Sequence, residues 1–159
     1  VEDTGKFIHY RESITDTTSI SSSLVSSIYE DSEGRLWIGT IQGLNQFHRD
    51  TETFTYYTEK DGLPDNTIYG IAEDEHGNLY LSTNLGLSKF NPETETFFNF
   101  DVRDGLQNNE FNIGAALTAS DGRMYFGGIN GFNVFHPDSL KRNRHKPPVL
   151  LTDFLLYNR

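Results

Sequence analysis

Two acidic pairs, Glu30-Asp31 and Glu73-Asp74, are the first residues in this sequence whose chemistry deserves a test. Glycoside hydrolysis needs two carboxylates held across one bond at a defined separation. Here the acids of each pair are neighbours in sequence, and each pair runs directly into a turn, Ser32-Glu33-Gly34 or Glu75-His76-Gly77. That placement makes them strand-end and turn residues, and no catalytic residue is assigned. The five histidines, His9, His48, His76, His136 and His145, show no metal-ligand spacing, so neither a metal nor another cofactor is expected. The chain has no cysteine, which excludes a disulfide, a thiolate metal site and a cysteine nucleophile.

Trp37, the single tryptophan, has a face suited to stacking on a sugar ring, but Tyr80 and Tyr125 fill its column in the repeats described below. A column shared by repeats points to packing. The formal net charge of -10 argues against nucleic acid, since phosphate binding needs a cationic surface that displaces counterions, and it disfavours an acidic membrane surface. The basic run from Lys141 to Lys146 reads as a solvated linker. No apolar run reaches the length of a membrane span; Val149 to Tyr157 is interrupted by Thr152 and Asp153. The opening Val1-Glu2-Asp3 has neither the basic leader nor the apolar stretch of a signal peptide, and the chain reads as a portion cut from something longer.

What must position any functional residue is a repeat. Asp31 to Phe54 returns as Asp74 to Phe97, and a weaker third copy follows; Gly34 and Gly77 stand 43 residues apart, Gly77 and Gly122 45. A period of about 40 to 45 residues with glycine-centred hairpins is that of propeller blades. Each glycine sits where a tight hairpin needs a positive φ. The first full repeat offers four strand-like runs, 24–30, 35–41, 44–48 and 54–58. Leu36-Trp37-Ile38, Leu79-Tyr80-Leu81 and Met124-Tyr125-Phe126 do not alternate polar with apolar, as expected for strands covered on both faces by neighbouring blades. Ser27, Gly70 and Ala115 form a column of small residues, with Val25, Ile68 and Ile113 as a larger column beside it, which suits strands converging on an axis.

The fold expected is all-β: a partial β-propeller of about three four-stranded antiparallel blades plus one leftover strand. Thr4-Gly5-Lys6-Phe7 matches Thr51 to Phe54 and Thr94 to Phe97, so 4–10 reads as the last strand of a truncated blade. Residues 1–22 comprise that strand and a Ser/Thr-rich connection, and 23–65, 66–110 and 111–159 are the blades. The last of these carries a delayed outer strand at 149–157.

Strand direction alternates in such a blade, so the second-to-third connection and the connection into the next blade emerge on one face. Gln42, Asn84 and Asn130 then share a face with Asp65, Asn66, Asn108 and Asn109. A rim of amides and one carboxylate suits a hydroxyl-rich ligand such as an oligosaccharide. The same residue types also make turns for their own sake, by tolerating left-handed backbone and capping it.

Ser26 to Thr40 followed by Gly43-Leu44-Asn45-Gln46-Phe47 closely resembles the two-component regulator propeller repeat. Asp61-Gly62-Leu63-Pro64 and Asp104-Gly105-Leu106-Gln107 resemble its inter-blade linker, and Asn109-Glu110-Phe111-Asn112 with Gly114-Ala115 resembles the form usual in a final blade. Pro147 to Phe154 is similar to the passage into the three-Y domain. The resemblance implies a non-catalytic, periplasmic sensor module of a hybrid two-component histidine kinase, which recognises polysaccharide breakdown products. Alternatives are a propeller carbohydrate-active enzyme and a protein-binding scaffold. Three blades do not close a ring, so self-association through open blade faces or edge strands is expected, with no nucleic acid and no membrane contact by this segment.

Overall fold

In the computed structural model, residues 5 and 7–140 are described. They form eleven strands in three antiparallel sheets. The first sheet joins β1 (Val25–Glu30), β2 (Leu36–Thr40), β3 (Gly43–His48) and β4 (Thr53–Tyr57), in that order. The second repeats the order with β5 (Gly70–Glu73), β6 (Leu79–Thr83), β7 (Gly86–Asn91) and β8 (Thr96–Phe100). The third pairs β9 (Phe111–Thr118), β10 (Met124–Gly128) and β11 (Gly131–Phe135). These are the blades of an open propeller arc, and the all-β reading holds.

Two of the expected strands differ or fall elsewhere. Residues 7–10 run as irregular chain rather than as a strand, and the sheet edge such a strand would pair with is not among the described residues. Tyr10 instead packs its ring on Phe47 and Phe54 at 4.9 and 5.7 Å. With Ile20, Ile38 and Leu36 these residues form an apolar cluster on the outer face of the first blade, and Phe54 N donates to Thr18 O at 2.8 Å. The delayed outer strand at 149–157 lies outside the described residues.

The middle strands are apolar on both faces because each face has a neighbour. Every residue of β6 is buried. Leu79 and Leu81 face the first blade, in a cluster with Trp37, Tyr57, Ile68 and Phe90. Tyr80 turns the other way, into a cluster with Leu87, Phe111, Met124 and Phe126. Burial of a large apolar side chain stabilises by about 1.5–3 kcal/mol, so these two interfaces hold the arc together.

The column of small residues is where strands crowd. Ser27 sits opposite Gly39, Gly70 opposite Ser82, and Ala115 beside Gly127, so both columns must be small. A Cβ on Gly70 would stand 2.7 Å from the Cβ of Ala116 in the next blade. The larger column is only partly realised. Ile68 is fully buried, packed over Gly39 of the preceding blade, whereas Ile113 is 66% exposed. The cause is a register shift: Phe126 and Gly128 pair with Ala116 and Phe111, so the residues between these two bulge out of the ladder.

The first and third linkers are pinned to the third strand of the blade they enter. Ser21 N donates to Asn45 Oδ1 at 2.8 Å, and Gln107 N donates to Asn133 Oδ1 at 3.0 Å. In the middle repeat the linker residue is Pro64, which has no N–H, and the equivalent of the asparagine is Ser88. Asn99, on β8, takes over the linker contact there by donating to Gly62 O at 2.9 Å.

Candidate functional site

The second-to-third strand turns are built alike in the first two blades. Thr40 Oγ1 donates to Gly43 O and accepts from Gln42 N; Thr83 Oγ1 donates to Gly86 O and accepts from Leu85 N. Gly43 and Gly86 have φ of 130° and 106°, and a Cβ on either would collide with the carbonyl oxygen of Tyr57 or Phe100. The turn therefore requires glycine, and the residue before it projects outward: Gln42, Leu85 and, in the third blade, Asn130. Asn84 stands one position earlier, level with Ile41 and Ile129.

Turns and linkers do meet on one face. Asn84 Nδ2 donates to Asp65 Oδ1 at 3.3 Å, and Asn84 Oδ1 accepts from the Tyr69 hydroxyl at 2.8 Å. Asp65 Oδ1 also caps Thr67 N at 2.8 Å. Asn130 is tied to the next linker, its backbone N donating to Gln107 Oε1 and its Nδ2 to Gln107 O. Gly86 N donates to Asn109 O at 2.8 Å, which brings the turn of the second blade to the linker that follows it.

Part of this polar rim is occupied with its own backbone. Asn66 Oδ1 accepts from Glu59 N and Asn109 Oδ1 from Val102 N, equivalent caps in successive linkers. Asn108 Oδ1 accepts from the N–H groups of Asn109 and Glu110. Gln42 is different. Among the described residues its carboxamide has no hydrogen-bond partner, and it lines a cavity of about 360 Å³ with Glu12, Ser19, Ser21 and the exposed Tyr56. Carboxamide, carboxylate, hydroxyls and an exposed phenol ring are what a sugar engages. Tyr56, Glu12, Tyr69 and Gln107 are absent from the set expected from sequence, because only the fold places them beside the turns.

The residues set aside for catalysis and stacking are structural. Trp37 is buried between blades and donates through Nε1 to Asp31 Oδ2 at 2.8 Å. Burial pushes the Asp31 carboxyl up, but hydrogen bonds from Trp37 and Arg35 outweigh it and hold the group below the ordinary carboxylate range. Asp74 caps the equivalent hairpin through His76 N and Asn78 N, and bonds Lys89 Nζ at 3.2 Å. Glu73 crosses to the preceding blade, accepting from Ser32 N, Ser32 Oγ and the Tyr29 hydroxyl. A separate cavity of about 380 Å³ between the second and third blades, lined by Tyr80, Lys89, Phe97, Phe98 and Leu140, contains none of the expected site residues.

The family model described as two component regulator propeller matches residues 19–42 and 62–85, each match running from the linker through the first hairpin to the start of the second turn. A histidine kinase of Formosa agariphila is 34% identical over 134 residues, 84% of this chain and 7% of the kinase. The extracellular domain of a hybrid two component system from B. thetaiotaomicron superposes with a TM-score of 0.69 at 33% identity, over 72% of this chain and 16% of that one. The extracellular domain of a one component system from the same organism gives 0.68 at 25% identity, over 79% and 19%. The chain thus spans a small share of each relative. Among the described residues no helix is long and apolar enough to cross a membrane.

Proposed function

We propose that this chain, which carries two matches to the two component regulator propeller family, is a non-catalytic sensory segment in the periplasmic part of a sensor kinase, recognising an oligosaccharide released from a polysaccharide. The observation that carries the ligand class is the Gln42 cavity, where a carboxamide, Glu12, two serines and the Tyr56 ring converge on the face that also holds Asp65 and Asn84. A ligand seated there signals only through different affinity for two arrangements of the larger assembly.

The non-catalytic reading is supported by the carboxylates themselves: Asp31, Glu73 and Asp74 are buried and committed to hairpins or to the neighbouring blade. A propeller carbohydrate-active enzyme would need two accessible acids facing one bond. Incubation with oligosaccharides followed by product analysis separates the two: the sensor returns every saccharide intact, and shortened products would overturn this reading. Capture of a protein partner without any glycan would favour a scaffold instead.

The open face of the third blade exposes Ile113, Leu117, Phe132 and Val134. Apolar surface of this kind on a segment of an arc is covered by further protein. For the segment alone, that protein is a second copy.

A further inference from the structure

We infer that Glu75, His76 and Asp138 form a divalent-cation site that ties the second blade to the end of the third. His76 and Asp138 are 62 residues apart in sequence, yet His76 Nε2 lies 3.1 Å from Asp138 Oδ1. Glu75 Oε1 is 4.0 Å from the same nitrogen, and one ligand atom from each of the three lies within 4.8 Å of the others. In a tetrahedral site with metal–nitrogen and metal–oxygen bonds near 2.0–2.2 Å, ligand atoms stand about 3.3–3.6 Å apart. The observed 3.1 and 4.0 Å bracket that spacing, so small side-chain rotations suffice to coordinate. One imidazole and two carboxylates, without sulfur, are a donor set for zinc or a similar first-row ion, with the fourth position left to water.

Both supporting backbones are fixed. The turn carrying Glu75 and His76 is capped by Asp74 Oδ1, which accepts from His76 N at 3.0 Å. Asp138 lies in a short 3-10 helix (Pro137–Ser139) whose N-cap, His136, accepts from Asp138 N through Nδ1 at 3.4 Å. Glu75 and Asp138 border a cavity of about 310 Å³ whose wall also includes Glu73, Asp74 and Thr118. Its carboxylates outnumber its cations, and the three ligand side chains are each more than half exposed, which gives an ion a route in. Sequence spacing conceals the site because two of the ligands and the third lie on different blades. A bound ion would add a contact between the blades that is independent of their apolar interface.

The test is titration of tag-free protein with Zn²⁺ by calorimetry and with Co²⁺ by visible absorption, alongside thermal melting. The inference predicts one equivalent bound, the intense visible bands of low-coordinate Co²⁺, and a melting point raised by Zn²⁺. His76→Ala and Asp138→Asn should each weaken binding by more than about a hundredfold, beyond what loss of a merely supporting residue costs, and abolish the melting shift. His48→Ala, a surface histidine remote in sequence, should bind as the parent does. If the parent does not bind Zn²⁺ at millimolar concentration, or the His76 and Asp138 variants bind it unchanged, the His76–Asp138 contact is a hydrogen bond and nothing more.

Discussion

Glu73 and Ser32 belong to different blades, yet the Glu73 carboxylate accepts from both the backbone N of Ser32, at 2.8 Å, and its hydroxyl, at 2.6 Å. The last residue of one blade's first strand thereby caps the hairpin of the blade before it. Hydrogen bonds to a charged acceptor are worth about 1.5–3 kcal/mol, and Glu73 is buried, so Glu73→Ala should lower unfolding stability by about that much in urea titration. Ser32→Ala removes only the hydroxyl and should cost about 1 kcal/mol. The double variant should be less destabilised than the sum of the two, since both act on one contact. Strict additivity would mean that the contact is not energetically coupled.

Alkaline pH should loosen the same interface. Burial, reinforced by Glu73, raises the Tyr29 hydroxyl to about 12, and burial also raises Tyr57 and Tyr80, with Glu95 and Asp74 as the next causes. A pKa raised in the folded state means that the folded protein holds the proton longer than the unfolded chain does. The associated stability is complete below the unfolded tyrosine value near 10 and is lost as pH climbs through the folded values. Urea midpoints should therefore fall steeply above pH 10, and Tyr29→Phe should flatten the fall. A midpoint independent of pH between 9 and 11.5 would contradict this.

Gly70 should not tolerate a methyl group. Gly70→Ala sets two Cβ atoms against each other at the Ala116 contact, and overpacking of this kind costs about 1–3 kcal/mol. Gly70→Ala combined with Ala116→Gly should recover most of the loss in thermal melting. Failure of the second change to rescue would place the strain elsewhere.

Periodicity carried most of the fold because each blade is a local unit whose turns are written in glycine and whose strands are short apolar runs. Gly34, Gly77 and Gly122 all take positive φ, and the four runs of the first repeat match β1 to β4 to within a residue or two. What periodicity could not show was whatever depends on contacts between blades. Ile113 occupies the same repeat position as Ile68, but the bulge in β9 turns it outward. Among the candidate site residues, Asp65 and Asn84 were legible as sharing a face because strand direction alone decides it. That Asn66 and Asn109 are spent on linker N–H groups, and that Tyr56 joins Gln42, depends on side-chain placement that repeat spacing does not encode.

Self-association of the isolated segment should be visible in sedimentation velocity as a sedimentation coefficient that rises with concentration. Leu117→Glu and Phe132→Glu, at exposed positions of the third blade, should shift the population toward monomer without changing the melting of the monomer. A strictly monomeric parent at high concentration would contradict the proposal that this face is an interface.

The most direct test of the sensory reading is thermal melting of a protein containing this segment, against a panel of plant, host and microbial oligosaccharides. A ligand at a hundredfold over its dissociation constant should add about 2.7 kcal/mol of stability. The account predicts a selective upward shift for one saccharide class, lost in Gln42→Ala and Tyr56→Ala while melting without ligand is unchanged. A flat response across the panel, or a shift that both variants retain in full, would contradict recognition of an oligosaccharide by this segment.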